Sequence, residues 1–287
     1  MGTAGNGTVR IADNLSVRGA SHKSNDKPCQ DASTSWSGEK YSAVIVCDGH
    51  GGDKYIFSAY GAKIACEVGR LILKEFMHKI YSGDSCLLTA TNAEDRLTHL
   101  EQSIISTWRS RIEKRIEKEN PIESSQFKKL EATDQQSLRK NPIKAYGCTF
   151  IVAVESEDFC FVLQLGDGNA VIFHADGTTE APAELEDDTL QFNLTTSLCN
   201  SDAAQSFRHC FRMAGKEEIC GITLTSDGII NSFRSQEAYE SFVKNAFDAF
   251  GEDGAKIAKI DLKEALHTLS QKGSGDDLSF AIIREKR

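Results

Sequence analysis

The residues best suited to chemistry in this chain are aspartates set among glycines. Asp48 follows the apolar run AVIVC, Asp167 stands in LGDGN, Asp227 in TSDGI, and Asp276 with Asp277 in GSGDDLSF, while Asp31 in KPCQDAS precedes the first apolar run. Taken singly, each is more often a turn residue than a ligand, because Asp-Gly suits tight turns. Taken together, they sit where strands begin or end, and strands laid side by side bring such ends to one rim. Carboxylates crowded there repel one another, a cost that a cation removes. An all-oxygen donor set without Cys or His selects a hard cation, Mg²⁺ or Mn²⁺, and the glycine after Asp48 lets the carbonyl of Gly49 approach it as a further ligand. Two such ions about 3.5–4 Å apart can hold a bridging water, lower its pKa and stabilise in-line attack at phosphorus. Phosphate hydrolysis is the chemistry this pattern implies.

The elements that must position these acids are read from periodicity. Tyr41–Cys47 is a nearly continuous apolar run with β-branched residues, the pattern of a strand buried on both faces. Tyr55–Ile80 and Ala90–Lys118 repeat apolar residues at helical spacing and read as two long amphipathic helices. Glu119–Lys144 turns polar between Pro121 and Pro142 and reads as an exposed, mobile excursion around a short helix. Gly147–Val154, Phe159–Leu165 and Ala170–His174 are β-rich runs whose connections are too short for a helix, so an antiparallel meander is expected. Glu184–Phe192 is acidic and irregular, Glu218–Thr225 and Leu278–Ile283 are further strands, and Ser235–Phe250 and Asp253–Gln271 have helical character. This order predicts an α+β layered sandwich of antiparallel sheet covered by helices.

Composition narrows the class. Hydrophobic residues at 40%, charged residues at 26% and only 4 prolines, with no linker-like tract, favour one compact domain over residues 1–287. The formal charge of −9 leaves no basic footprint for nucleic acid. No stretch approaches the roughly 20 apolar residues that span a bilayer, and Met1–Asn14 lacks the charged start and apolar run of a signal peptide, so a cytoplasmic protein without membrane contact, and a monomer, is expected. Nine cysteines without C-x-x-C spacing read as reduced thiols rather than a disulfide framework or a structural zinc site. The absence of a G-x-x-x-x-G-K-[ST] loop removes support for a kinase or ATPase.

CQDA at Cys29–Ala32, VCDGHGG at Val46–Gly52, GCTF at Gly147–Phe150, LGDGNAVIF at Leu165–Phe173, TSDGI at Thr225–Ile229 and GDDLSFAII at Gly275–Ile283 together resemble the ordered motif set of the PP2C-type (PPM) protein phosphatases, in particular bacterial-type members. The resemblance runs from about Ser16 to Ile283. It implies a four-layer α-β-β-α sandwich of two antiparallel sheets, and Mg²⁺- or Mn²⁺-dependent hydrolysis of phosphoserine and phosphothreonine in phosphorylated protein substrates. By motif, Asp48 resembles the ligand bridging two metals and Gly49 the carbonyl ligand. Asp227 and Asp276 resemble the remaining direct ligands of the first metal, Asp31 a residue of the second, and Asp167 the acid that helps hold a third. His50 matches the position proposed as general acid to the leaving serine oxygen.

Three positions depart from the family pattern. No arginine occurs between Arg18 and Asp31, where many members carry one to grip the substrate phosphate. His22, Lys23 or Lys27 could supply that charge, without the bidentate fork of a guanidinium. Gln30 replaces a glutamate found in some members, and Asp277 an asparagine found in many. The alternative these departures raise is a catalytically silent member that binds a phosphoprotein or signalling partner. A silent member would be expected to lose a direct carboxylate ligand, and none is lost here.

Overall fold

The structure is a computed structural model, described here for residues 10–83, 87–185, 195–214, 219–252 and 255–285. It therefore omits residues 1–9 of the N-terminal stretch and most of the acidic run expected to be irregular. Among the described residues two five-stranded antiparallel sheets face each other. The first has the order β2 (Ala32–Ser37), β3 (Tyr41–Cys47), β4 (Phe150–Ser156), β5 (Phe159–Leu165) and β8 (Arg208–Met213). The second has the order β1 (Arg10–Val17), β10 (Leu278–Glu285), β9 (Ile219–Thr225), β6 (Asn169–His174) and β7 (Thr179–Glu180).

Alternation along the strands builds the layers. In β3 and β4, Val44, Val46, Ile151 and Ala153 face inward and meet Ile172, Ile222, Leu224, Ala281 and Ile283 of the other sheet. Ala43, Ile45, Cys47, Phe150 and Val152 point outward and are covered by α2 (Ser58–Ile80) and α3 (Ala93–Lys118) through Val68, Leu73, Met77, Leu97, Ile104 and Trp108. On the opposite side, Phe280 and Ile282 of β10 pack under α7 (Gln236–Glu252) and α8 (Ala255–Lys272) through Tyr239, Val243, Phe247, Leu262 and Leu266. The expected α-β-β-α order results.

Three expectations change. The excursion at 119–144 is tied to the core: Phe127, Ile143 and, on the short helix α4 (Ala132–Lys140), Leu138 are buried against the α2–α3 layer. The meander does not continue through β6, because the chain crosses from one sheet to the other at Gly166-Asp167-Gly168. Gly166 takes φ +107°, and a Cβ there would meet the Thr149 side chain at 2.5 Å, so the crossing needs glycine. Finally, β1 and β2 escape a hydrophobicity reading because they meet across the sandwich through side-chain hydroxyls and amides: Ser16 with Ser33 at 2.8 Å, Asn14 with Ser33 at 2.8 Å, and Ser35 with Asn14 at 2.7 Å. The described cysteines are free thiols, as expected.

Register gathers the acidic strand ends. Cys47 pairs with Ala32 and Phe150 with Leu165 in one sheet, while Thr225 pairs with Asn169 and with Phe280 in the other. The residues just beyond these pairs are Asp48, Asp31, Asp167 and Asp227, with Asp276 two residues ahead of β10. One rim of the sandwich therefore receives all five.

Candidate metal centre

Each acid is delivered by a local device. The Asp48 backbone is clamped by Thr149, whose Oγ1 accepts from Asp48 N at 2.9 Å and whose N donates to Asp48 O at 2.8 Å. Gly49 follows in an isolated bridge to Cys148, so close to its surroundings that a Cβ would lie 2.6 Å from Gln30 O and 2.9 Å from Ser58 C. Asp227 opens α6 (Asp227–Ile230), and Asn231, one turn on, donates to its Oδ2 at 3.0 Å. Asp31 is buried and accepts from Ser226 Oγ at 2.9 Å. Asp167 accepts from Thr195 Oγ1 at 2.6 Å.

The electrostatics show that these carboxyls sense one another. Burial first, then Asp31 and Asp227, raise the Asp48 carboxyl well above the ordinary range. Burial and Asp277 push Asp31 up to about 8. Burial, Asp167 and Asp276 raise Asp227, opposed by its hydrogen bond with Asp48. Among the described residues no Lys or Arg pairs with any acid of this rim. Buried and half-buried carboxyls without a Lys or Arg partner, beside a Gln30 Oε1 that is buried with no hydrogen-bond partner, form a hard, all-oxygen donor set. That set fits Mg²⁺ or Mn²⁺.

The oxygens have not closed into a single-ion cage at Asp48, Asp227 and Asp276. Among the described residues the group whose ligand atoms lie within 4.8 Å of one another is His22, Asp276 and Asp277. His50 donates its backbone N to Gly147 O at 3.2 Å and its ring packs 4.7 Å from the Tyr55 ring. Burial lowers it to about 4, and its Nε2 is buried without a hydrogen-bond partner.

The two candidate phosphate contacts separate. Lys27 is exposed, on a loop tied by Lys27 N to His22 O at 2.9 Å. His22 is buried, with Nδ1 2.8 Å from Asp277 Oδ2. Arg18 folds back onto the same loop, donating to His22 O at 3.0 Å and standing 3.6 Å from the Asp26 carboxylate.

Sequence reasoning undervalued Asp277, which reads as the second half of an Asp-Asp pair. Its Oδ1 accepts from Gly19 N at 2.6 Å, and its Oδ2 accepts from Gln30 N at 2.6 Å as well as facing His22. It joins three chain segments behind the acids. Thr149, in the GCTF motif, and Asn231, at i+4 from Asp227, were visible by position but carry no chemistry until the fold shows what they touch.

The chain matches the Protein phosphatase 2C family model over residues 18–267. It belongs to the protein phosphatase 2C family. Solved structures of similar fold include serine/threonine phosphatase Stp1 from Staphylococcus aureus, 14% identical over 98% of this chain and 97% of that one, with a TM-score of 0.58. PppA, a regulatory component of the type VI secretion system in Pseudomonas aeruginosa, is 13% identical over 97% and 99%, with a TM-score of 0.57. The catalytic domain of the phosphatase PstP, in complex with two manganese ions, is 14% identical over 97% and 99%, with a TM-score of 0.52. At such identities these likenesses speak for the fold that this phosphatase 2C family member shares. No curated protein is detectably similar to it in sequence.

Proposed function

We propose that the chain hydrolyses phosphoserine and phosphothreonine in proteins, acting as a single domain with both sheets contributing to one Mg²⁺- or Mn²⁺-dependent centre. The observation that carries this reading is the mutually repelling set of buried Asp31 with half-buried Asp48 and Asp227, on a rim without Lys or Arg partners among the described residues, in a phosphatase 2C family chain. Asp48, Asp227, Asp276 and the Gly49 carbonyl would hold the first ion, Asp31 would serve the second, which shares Asp48, and Asp167 a third. Bound there, the ions would acidify a water and offset charge on the phosphoryl oxygens.

The chain's own residues would do the rest. Thr149, Asn231 and Ser226 fix the acids so that little reorganisation is needed when substrate binds. Lys27, exposed beside the rim, would meet the phosphate or its flanking peptide as a point charge. His50 is assigned as general acid to the leaving oxygen. Neutral at neutral pH in the free chain, it needs the phosphate dianion beside it to raise its affinity for a proton.

The test is phosphate release from a phosphothreonine peptide by the intact chain and by Asp48→Asn in the presence of Mn²⁺. The variant removes a charge shared by two ions, and activity should fall at least about a hundredfold, the scale of losing one principal electrostatic group. Equal activity of the two proteins would remove Asp48 from the centre.

A further inference from the structure

The aspartates described above would give an all-oxygen centre. The structure also places an imidazole at its edge. His22 is 7% exposed, and its two ring nitrogens face two different carboxylates. Nδ1 lies 2.8 Å from Asp277 Oδ2, a hydrogen bond, and since the carboxylate can only accept, Nδ1 carries the proton. Asp277 is itself 2% exposed and held from both sides by the backbone amides of Gly19 and Gln30, so the ring orientation is set by a rigid acceptor.

The other nitrogen, Nε2, is aimed at Asp276 Oδ1 from 3.7 Å. That is too long for a hydrogen bond. It is close to the spacing of two donors sharing one cation: at about 2.0–2.2 Å from an ion, ligands roughly 90–120° apart stand about 3.0–3.6 Å from each other. Asp276 keeps its carboxylate half-exposed on the rim, with Oδ1 accepting from Asp277 N at 2.8 Å, while Asp277 has spent its oxygens on three donors. The two acids of the Asp-Asp pair thus have different tasks, one turned to the rim and one turned to the imidazole. A metal-binding histidine whose second nitrogen donates to a carboxylate is a recurrent arrangement, because the outer carboxylate fixes the tautomer and raises the basicity of the ligand nitrogen.

We propose that His22 is a nitrogen ligand of the metal ion held by Asp276, with Asp277 as its positioning residue. This rests on the metal-dependent reading of the rim and sharpens it: the centre is mixed nitrogen and oxygen. Imidazole favours Mn²⁺, Fe²⁺ or Zn²⁺ over Mg²⁺, so the chain should discriminate against Mg²⁺ more than its aspartates alone would. The same assignment accounts for a loop that lacks an arginine at the expected place yet buries a histidine there.

The experiment is pulsed electron paramagnetic resonance of the full chain loaded with Mn²⁺, prepared with natural and with ¹⁵N-labelled histidine, alongside His22→Gln and Asp277→Asn. The wild-type chain should show nitrogen modulation from a directly bound imidazole that changes on labelling. In His22→Gln, Mn²⁺ should remain bound with that modulation gone, its affinity lowered about 10–100-fold, and the Mn²⁺-to-Mg²⁺ affinity ratio reduced about tenfold or more. Asp277→Asn should weaken the modulation, and His22→Gln keeps the test valid if that variant folds poorly. Mn²⁺ bound to the wild-type chain without histidine modulation overturns this proposal, leaving His22 a hydrogen-bond partner of Asp277 only. No Mn²⁺ binding at all overturns the metal centre itself.

Discussion

The Gln30 backbone N–H donates to Asp277 Oδ2 at 2.6 Å, tying the loop that enters β2 to the turn that enters β10. With Gly19 N on Oδ1 and His22 on Oδ2, both carboxylate oxygens are occupied, so an amide in the same place must aim its NH₂ group at a donor. Asp277→Asn should therefore destabilise the fold by about 2 kcal/mol, within the range for lost hydrogen bonds to a buried charge. Urea denaturation measures this, and an unchanged midpoint would count against the linking role.

Stability without metal should fall as pH rises. Asp31 sits at about 8 and Asp48 and Asp227 are raised, against about 3.9 in the unfolded chain. The folded state therefore holds protons that the unfolded state has released, and stability present below about pH 4 is lost as pH climbs towards 8. The slope should be at least about 1.4 kcal/mol per pH unit, that of one retained proton. Denaturation in chelator at several pH values tests this, and saturating Mn²⁺ should flatten or reverse the slope, since a bound cation favours the ionised carboxyls.

His209 lies between two carboxylates, 2.8 Å from buried Glu101 and 3.1 Å from Glu94, and the Glu101 hydrogen bond raises its pKa. Its contribution to stability is complete below about 6.5 and is lost as pH rises through the raised value. Glu101→Gln should bring the His209 titration in an NMR series downwards. An unmoved titration would show that Glu101 is not the cause.

Gly49→Ala should cost activity because the added Cβ meets backbone atoms of Gln30 and Ser58, not a side chain that can swing away. Displacing this turn by even an ångström moves the Gly49 carbonyl and Asp48 together, and a loss on the order of a hundredfold is expected in phosphate release.

Much of this was legible in the sequence, and for physical reasons. α2 and α3 advertise themselves by apolar side chains at helical spacing, and β3, β5 and β10 by short apolar runs buried on both faces. β1 and β2 do not, because Asn14, Ser16, Ser33 and Ser35 bond to one another between the sheets, and such a contact leaves no hydrophobic signature. The anchoring of 119–144 was hidden because Phe127, Leu138 and Ile143 are isolated apolar residues in a polar stretch. The convergence of the acids followed from their placement at strand ends. The partnership of His22 with Asp277 could not, since 255 positions separate them and only the pairing of β1 with β10 brings the segment after β1 beside the turn before β10.

The most direct test is the initial rate of phosphate release from a phosphothreonine peptide as Mn²⁺ is titrated into metal-free protein and then withdrawn with chelator. No release is expected without metal, with a saturable rise on adding Mn²⁺ and full reversal by chelator. Release that persists in chelator, or none at micromolar enzyme with saturating Mn²⁺, would contradict this.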